Sequence, residues 1–212
     1  MIILLDFGHS KYPESQGKRS PVREDGTRFY EWESNRRIGQ KVMQKLDRLG
    51  IEYHTVLDSN KESFTSLGER VSVANAYCRQ FGKENCLFIS LHSNACGNGN
   101  EWKDEARGWS IYTTKGVTKS DKMATVFHEE AERLLPNYGM TLRKDMSDGD
   151  EDYESNFTVI ANTACPAVLI EALFYTSRID LKFLDSDLGR EILSDIVVNA
   201  IKRINSDDFT KK

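Results

Sequence analysis

Short aliphatic runs that read as strands alternate with helical stripes along almost all of the 212-residue chain, and this alternation restricts the fold more than any single motif does. The strand signals are β-branched or aliphatic segments closed by turn chemistry. They fall at residues 2–5, 51–56, 86–91, 109–113 and 167–170, with a weaker sixth at 157–160. Between them run helical stripes: Ile38, Val42, Leu46 and Leu49; Leu67, Val71, Ala74 and Cys78; Ala124, Phe127, Ala131 and Leu134; and Leu188, Ile192, Ile196, Ala200 and Ile204. Parallel neighbours need crossover helices, and those helices must pack back onto the sheet. The expected fold is therefore α/β: a single three-layer domain built on a mostly parallel twisted sheet of about six strands, with helices on both faces. Functional residues in such sheets gather at the carboxyl ends of the strands.

The length suits one domain, expected over residues 1–206 with a short polar tail at 207–212. A formal charge of -4 and a pI near 5.7, with scattered basic residues, leave no electrostatic footprint for nucleic acid. No apolar run approaches the roughly 20 residues of a membrane span, so no membrane insertion is expected. The opening Met-Ile-Ile-Leu-Leu-Asp lacks the basic region and cleavage site of a secretory leader. Cys78, Cys86, Cys96 and Cys165 form no CxxC pair and read as free thiols. The long connections at 10–30, 95–108 and 144–155 read as walls of a substrate groove.

His9 follows the first strand in Asp6-Phe7-Gly8-His9, where Gly8 would let the backbone turn tightly. His92 follows the third core strand, in Ser90-Leu91-His92-Ser93-Asn94. A lone histidine is most often structural, but two at matching ends of parallel strands point to a shared ligand. A third donor is expected where the first helix begins. Glu31 continues the sheet-facing stripe of Asn35, Ile38 and Val42, whereas Glu33 falls with Arg37 and Gln40 on the solvated side, a first-turn acid suited to the helix dipole. A carboxylate on a core-facing stripe needs a partner, and a metal would supply one. Two His and one Glu leave a fourth position open on Zn²⁺, the arrangement of a catalytic site. Glu171 ends the apolar run Pro166-Ala167-Val168-Leu169-Ile170, so a carboxylate emerges from a buried strand at the same edge. It is the candidate proton carrier, its pKa raised by burial. The plainer reading of Glu171 is a buried acid paired with an arginine.

Several motifs occur in a fixed order: Asp-x-Gly-His, Glu-x-x-x-Asn opening the next helix, Leu67, Arg70, Ala74 and Asn75 in Leu-x-x-Arg-x-x-x-Ala-Asn, Ile89 to Asn94, Gly108 to Tyr112, and Pro166 to Phe174. This ordered set resembles the zinc-dependent N-acetylmuramoyl-L-alanine amidases of bacterial walls and phage endolysins, over about residues 2–204. The resemblance implies hydrolysis of the amide between N-acetylmuramic acid and the L-alanine of the peptidoglycan stem peptide. It also implies zinc ligands at His9, Glu31 and His92 and a catalytic Glu171. Ser10 stands where the family commonly has Gly, so the course of the 10–21 loop and its substrate contacts are left open.

His128-Glu129-Glu130 lacks the second histidine of HExxH, since residue 132 is Glu, and reads as a surface helix. The acidic run from Asp145 to Glu154 lacks the spacing of a calcium loop and reads as solvated. His54 reads as a packing residue. Two rivals to the amidase reading are a zinc carboxypeptidase and a non-catalytic peptidoglycan-binding module. Against the first, His9 is followed at position 12 by Tyr and not by the Glu of His-x-x-Glu. The protein is expected to act as a monomer on the cell wall, made in the cytoplasm, with release through a membrane lesion of phage or prophage type preferred over export by a leader outside this sequence.

Overall fold

The computed structural model describes residues 1–11, 18–58 and 64–206. The tail expected at 207–212 and the middle of the 10–21 loop lie outside them. In chain order the elements are β1 (Ile2–Phe7), α1 (Glu31–Leu49), β2 (Tyr53–Thr55), α2 (Leu67–Phe81), β3 (Cys86–Asn94), β4 (Ser110–Thr113), α3 (Lys119–Leu134), β5 (Tyr153–Glu154), α4 (Thr158–Ala161), β6 (Ala167–Phe174), α5 (Arg178–Leu184) and α6 (Asp187–Ile204). They form a single domain with one six-stranded sheet in the order β2-β1-β3-β6-β4-β5. All pairings are parallel except β4 with β6. The mostly parallel three-layer expectation holds.

Side-chain alternation in the central strands separates two cores. Ile3, Leu5 and Phe7 of β1 join Leu87, Ile89, Val168 and Ile170 on the face covered by α1, α3 and α6. Leu4, Phe88 and Leu169 point the other way, towards Ala74 and Cys78 of α2 and Val159 and Ile160 of α4. With both faces covered, the central strands read as unbroken apolar runs. The stripes overreach at their ends: Leu49, Leu67 and Leu188 are exposed. Capping boxes start two of the helices, Ser66 with Glu69 at α2 and Thr118 with Asp121 at α3. Gly50, in the left-handed region, closes α1.

Three local readings are corrected. Residues 157–160 are not a strand: extended Phe157 leads into α4, its carbonyl accepting from the Ile160 and Ala161 amides, and the turn inserts Val159 and Ile160 into the second core. The sixth strand is instead the two-residue β5. The acidic run is not uniformly solvated, because Asp152 is buried and accepts a 2.6 Å hydrogen bond from Thr113 Oγ1. His128 is likewise turned inward, edge-on to Trp109. His54 does pack, stacked on Tyr77 at 4.3 Å between ring centres. The four cysteines are free, and Cys78, Cys86 and Cys165 are buried in the second core. Among the described residues no helix is long and apolar enough to cross a membrane.

The approach of α1 to β1 depends on Gly39, where an added Cβ would lie 2.2 Å from Cε1 of the Phe7 ring. That ring is fully buried and has nowhere to retreat. Gly39→Ala is therefore expected to destabilise the protein by about 2 kcal/mol, roughly 4–8 °C in Tm, although alanine is the better helix former. Thermal unfolding followed by circular dichroism checks this.

Burial, reinforced by neighbouring Asp150, pushes the Asp152 carboxyl up to about 7 against the opposing Thr113 hydrogen bond. The native protein then keeps a proton that the unfolded chain loses near pH 4, so stability falls as pH rises from there to about 7. Asp152→Asn is expected to raise Tm at pH 8 relative to wild type and to leave that gain absent at pH 5. Equal shifts at both pH values would contradict it.

Candidate metal centre

β1 and β3 run side by side, and each carries a histidine at its carboxyl end, one just past the pairing Phe7↔Leu91 and the other next to it. Gly8 donates its amide to the Leu91 carbonyl, holding the two exits together. The positive φ here belongs to His9, at 64°, and not to Gly8. Gly8 is required for space: an added Cβ would lie 2.3 Å from Cε1 of His92. The two imidazoles stand edge to face, with ring centres 4.9 Å apart.

Glu31, in the first turn of α1, points into this pair. Its Oε1 lies 3.1 Å from His92 Nδ1 and 3.4 Å from His9 Nε2, and it accepts a 3.0 Å bond from the Ser93 amide. One ligand atom from each of the three residues lies within 4.8 Å of the other two. Ligands about 2.0–2.1 Å from a tetrahedral zinc stand roughly 3.3 Å apart, so the spacing suits that ion, as does the nitrogen and oxygen donor set. Burial opposes ionisation of Glu31, but the two imidazoles and the Ser93 amide outweigh it and hold the carboxyl below its ordinary range. Burial likewise opposes the charged form of His92, and Glu31, Glu171 and Asp6 reverse that effect. Glu33 pairs with Arg37 at the surface.

A polar layer beneath the cluster fixes it, and sequence reasoning assigned none of its residues this supporting role. Asn35 donates to the Gly8 carbonyl at 3.1 Å and to Glu31 at 3.5 Å. Arg36 donates to the His9 carbonyl. Arg70 from α2 is fully buried, pairs with Asp6 at 2.9 Å and donates to the Phe7 carbonyl, while Ser90 Oγ donates to the other oxygen of Asp6. Asp6 and Arg70 were visible only as members of the ordered motifs.

Glu171, in β6, lies directly opposite His92 of β3 and, on its other side, opposite Ser110 of β4. Among the described residues its Oε2 is buried without a hydrogen-bond partner. Burial raises its pKa to about 8; His92, Lys18 and Arg143 oppose the rise and Glu31 adds to it. The plainer reading, an acid ion-paired to an arginine, does not hold among the described residues. Beyond Glu171 the strand bulges: the register passes from His92↔Glu171 to Asn94↔Phe174, and Leu173 adopts φ 74°. A leucine there costs about 1–2 kcal/mol of backbone strain, and nothing in its residue type announces it.

The 95–108 connection is pinned to the end of β6, with the Lys103 amide donating to the Thr176 carbonyl and the Cys96 amide to Thr176 Oγ1. With the 18–30 connection and α5 it borders an open cavity of about 750 Å³ lined by Arg23, Trp102, Arg178, Leu181 and Asp185. Two of the three connections read as groove walls therefore border this cavity, whereas residues 144–155 do not line it and neither do His9, Glu31, His92 or Glu171.

Fold and cluster together define a class: an α/β domain whose parallel strand ends, joined by a helix start, present a two-histidine, one-glutamate site able to hold a metal ion. The chain belongs to the N-acetylmuramoyl-L-alanine amidase family, whose model matches residues 3–203. It is 21% identical over 203 residues to a probable cell wall amidase, LytH, of Staphylococcus epidermidis, covering 95% of this chain and 57% of the relative. It is 24% identical over 192 residues to the endolysin of Bacillus phage SPP1, covering 88% of this chain and 59% of that protein. The chain thus spans a little under three-fifths of these curated relatives. Among solved structures, its fold is similar to the amidase AmiC2 of Nostoc punctiforme, with TM-score 0.74 and 19% identity over 100% of this chain and 98% of that one. It is also similar to the catalytic domain of the amidase CwlV of Bacillus (Paenibacillus) polymyxa, with TM-score 0.71 and 22% identity over 95% and 96%.

Gly8→Ala is expected to displace the His92 ring and so to lower the affinity of the candidate metal centre for added Zn²⁺ on the order of ten- to a hundredfold, the range typical of disturbed support around a metal ligand. Competition against a chromogenic chelator measures it, and unchanged affinity would show that the close contact does not position His92.

Proposed function

We propose that this domain, over residues 1–206, hydrolyses the amide between N-acetylmuramic acid and L-alanine in peptidoglycan, releasing stem peptides. In this reading His9, Glu31 and His92 hold Zn²⁺ and Glu171 is the catalytic carboxylate. Convergence of the three donors beside Glu171, whose Oε2 has no hydrogen-bond partner among the described residues, carries the reading. Zinc bound there supplies Lewis acidity to the scissile carbonyl and to a water nucleophile.

The protein's own groups supply the rest. Asn35 and the Ser93 amide hold the Glu31 carboxylate in one orientation, so no reorganisation is needed on binding. Glu171 accepts the proton of the attacking water and delivers it to the leaving nitrogen as the carbon–nitrogen bond breaks. Burial, which raises the affinity of Glu171 for a proton, makes its carboxylate a stronger base than an exposed one.

For delivery we infer a phage or prophage route, in keeping with the similarity to a phage endolysin. A carboxypeptidase on the same scaffold would shorten stem peptides, whereas the amidase frees them with L-alanine at the amino end. Mass spectrometry of digested muropeptides separates the two.

Glu171→Gln is expected to lower kcat at least about a hundredfold, the usual contribution of a positioned acid–base group, while zinc content stays at wild-type level. Glu31→Ala is expected to lose both zinc and turnover. Full amide cleavage by the Glu171 variant would remove that residue from the mechanism.

A further inference from the structure

On the side of Glu171 away from the metal cluster stands Arg143, a half-buried arginine held differently from several others in the fold. Arg70 is paired with Asp6, Arg107 with Asp180 and Arg178 with Asp104. Arg143 makes no ion pair among the described residues. Its guanidinium carbon instead lies 5.2 Å from the ring centre of Tyr153 and 5.3 Å from that of Phe174. Tyr153 is in β5 and Phe174 ends β6, so the cation is held by rings from both sides of β4.

The residue is also fixed from behind. The Arg143 amide donates to the Trp109 carbonyl at 2.8 Å. Its side-chain stem lies so close to Gly108 that a Cβ there would come within 2.9 Å of Arg143 Cγ. Asp180 accepts from the Gly108 amide at 2.8 Å and so holds that backbone in place. The half-buried charge is near enough to favour ionisation of Glu171 and Tyr112. A guanidinium stacked on aromatic rings keeps its planar donors at the ring edge, free for a two-point bond to a carboxylate.

We propose that Arg143 is the residue that reads substrate charge at this site, binding a carboxylate of the peptide that leaves on cleavage. The inference rests on the function proposed above. In the intact substrate the lactyl carboxyl is consumed in the scissile amide, so the free carboxylates are on the peptide half. With the metal cluster and Arg143 on opposite sides of Glu171, an amide placed over Glu171 extends its peptide half towards Tyr153 and Phe174. Arg143 is thus a specificity-determining residue and does not take part in bond breaking.

Two muramoyl peptides test this, one with free peptide carboxylates and one with those carboxylates amidated. The expected result is that wild type prefers the free-carboxylate form in kcat/KM, that Arg143→Gln loses about tenfold or more of this preference, and that Arg143→Lys keeps part of it. A variant that is merely damaged would lose activity on both substrates alike and leave the ratio intact, so an unchanged ratio overturns the inference. Calorimetric binding of an L-alanyl peptide and its amidated counterpart to the zinc-loaded protein gives a reading without turnover. Tighter binding of the carboxylate form by wild type and not by Arg143→Gln supports the role; equal binding of the two peptides overturns it. If wild type cleaves neither muramoyl peptide at the amide, the amidase reading fails, and the calorimetry still decides the part played by Arg143.

Discussion

The site depends on one buried oxygen. Glu31 Oε1 lies beside both histidine nitrogens and accepts from the Ser93 amide, so a single atom ties the first turn of α1 to the ends of β1 and β3. A carboxylate this deeply buried would cost several kcal/mol if left unpaired, and the three elements meet where that cost is offset. The Asp6, Arg70 and Ser90 layer below does the same for the strand ends, locking β1 against β3 through side chains as well as through the ladder. The geometry that suits a metal is therefore present in the chain's own hydrogen bonding.

Most of this was legible from residue order. Alternating strand and helix patterns imply the layered fold because buried parallel strands must be apolar on both faces, as β1, β3 and β6 are. Glu31 could be separated from Glu33 because helical periodicity puts one with Asn35 and Ile38 and the other with Arg37, and the two carboxylates are indeed divided that way. Periodicity did not identify α4 or β5. Four residues of helix contain no full repeat, and a two-residue edge strand in an acidic segment has no alternation to read.

The conformational details were hidden for a different reason. Glycine before His9 suggested a turn at Gly8, yet the left-handed backbone is at His9, and the missing Cβ makes room for a ring from another strand. Contacts between distant segments leave no local signal. The same holds for Leu173, a branched residue at φ 74° where composition argues for glycine, and for Arg143, whose rings come from residues ten and thirty-one positions away in the chain.

The change of strand direction at β4 has an evolutionary consequence. The parallel strands on one side of β6 and the first turn of α1 supply all three metal-donor candidates, whereas the antiparallel β4 and its neighbour β5 bring in Tyr112 and Tyr153, and the connection before β5 brings in Arg143. Each half meets Glu171 through its own backbone ladder. Insertions and substitutions on the β4 side can accumulate without passing through the strands that hold the donors. Such an arrangement lets the surface beyond β4 diverge while the donor geometry is inherited intact.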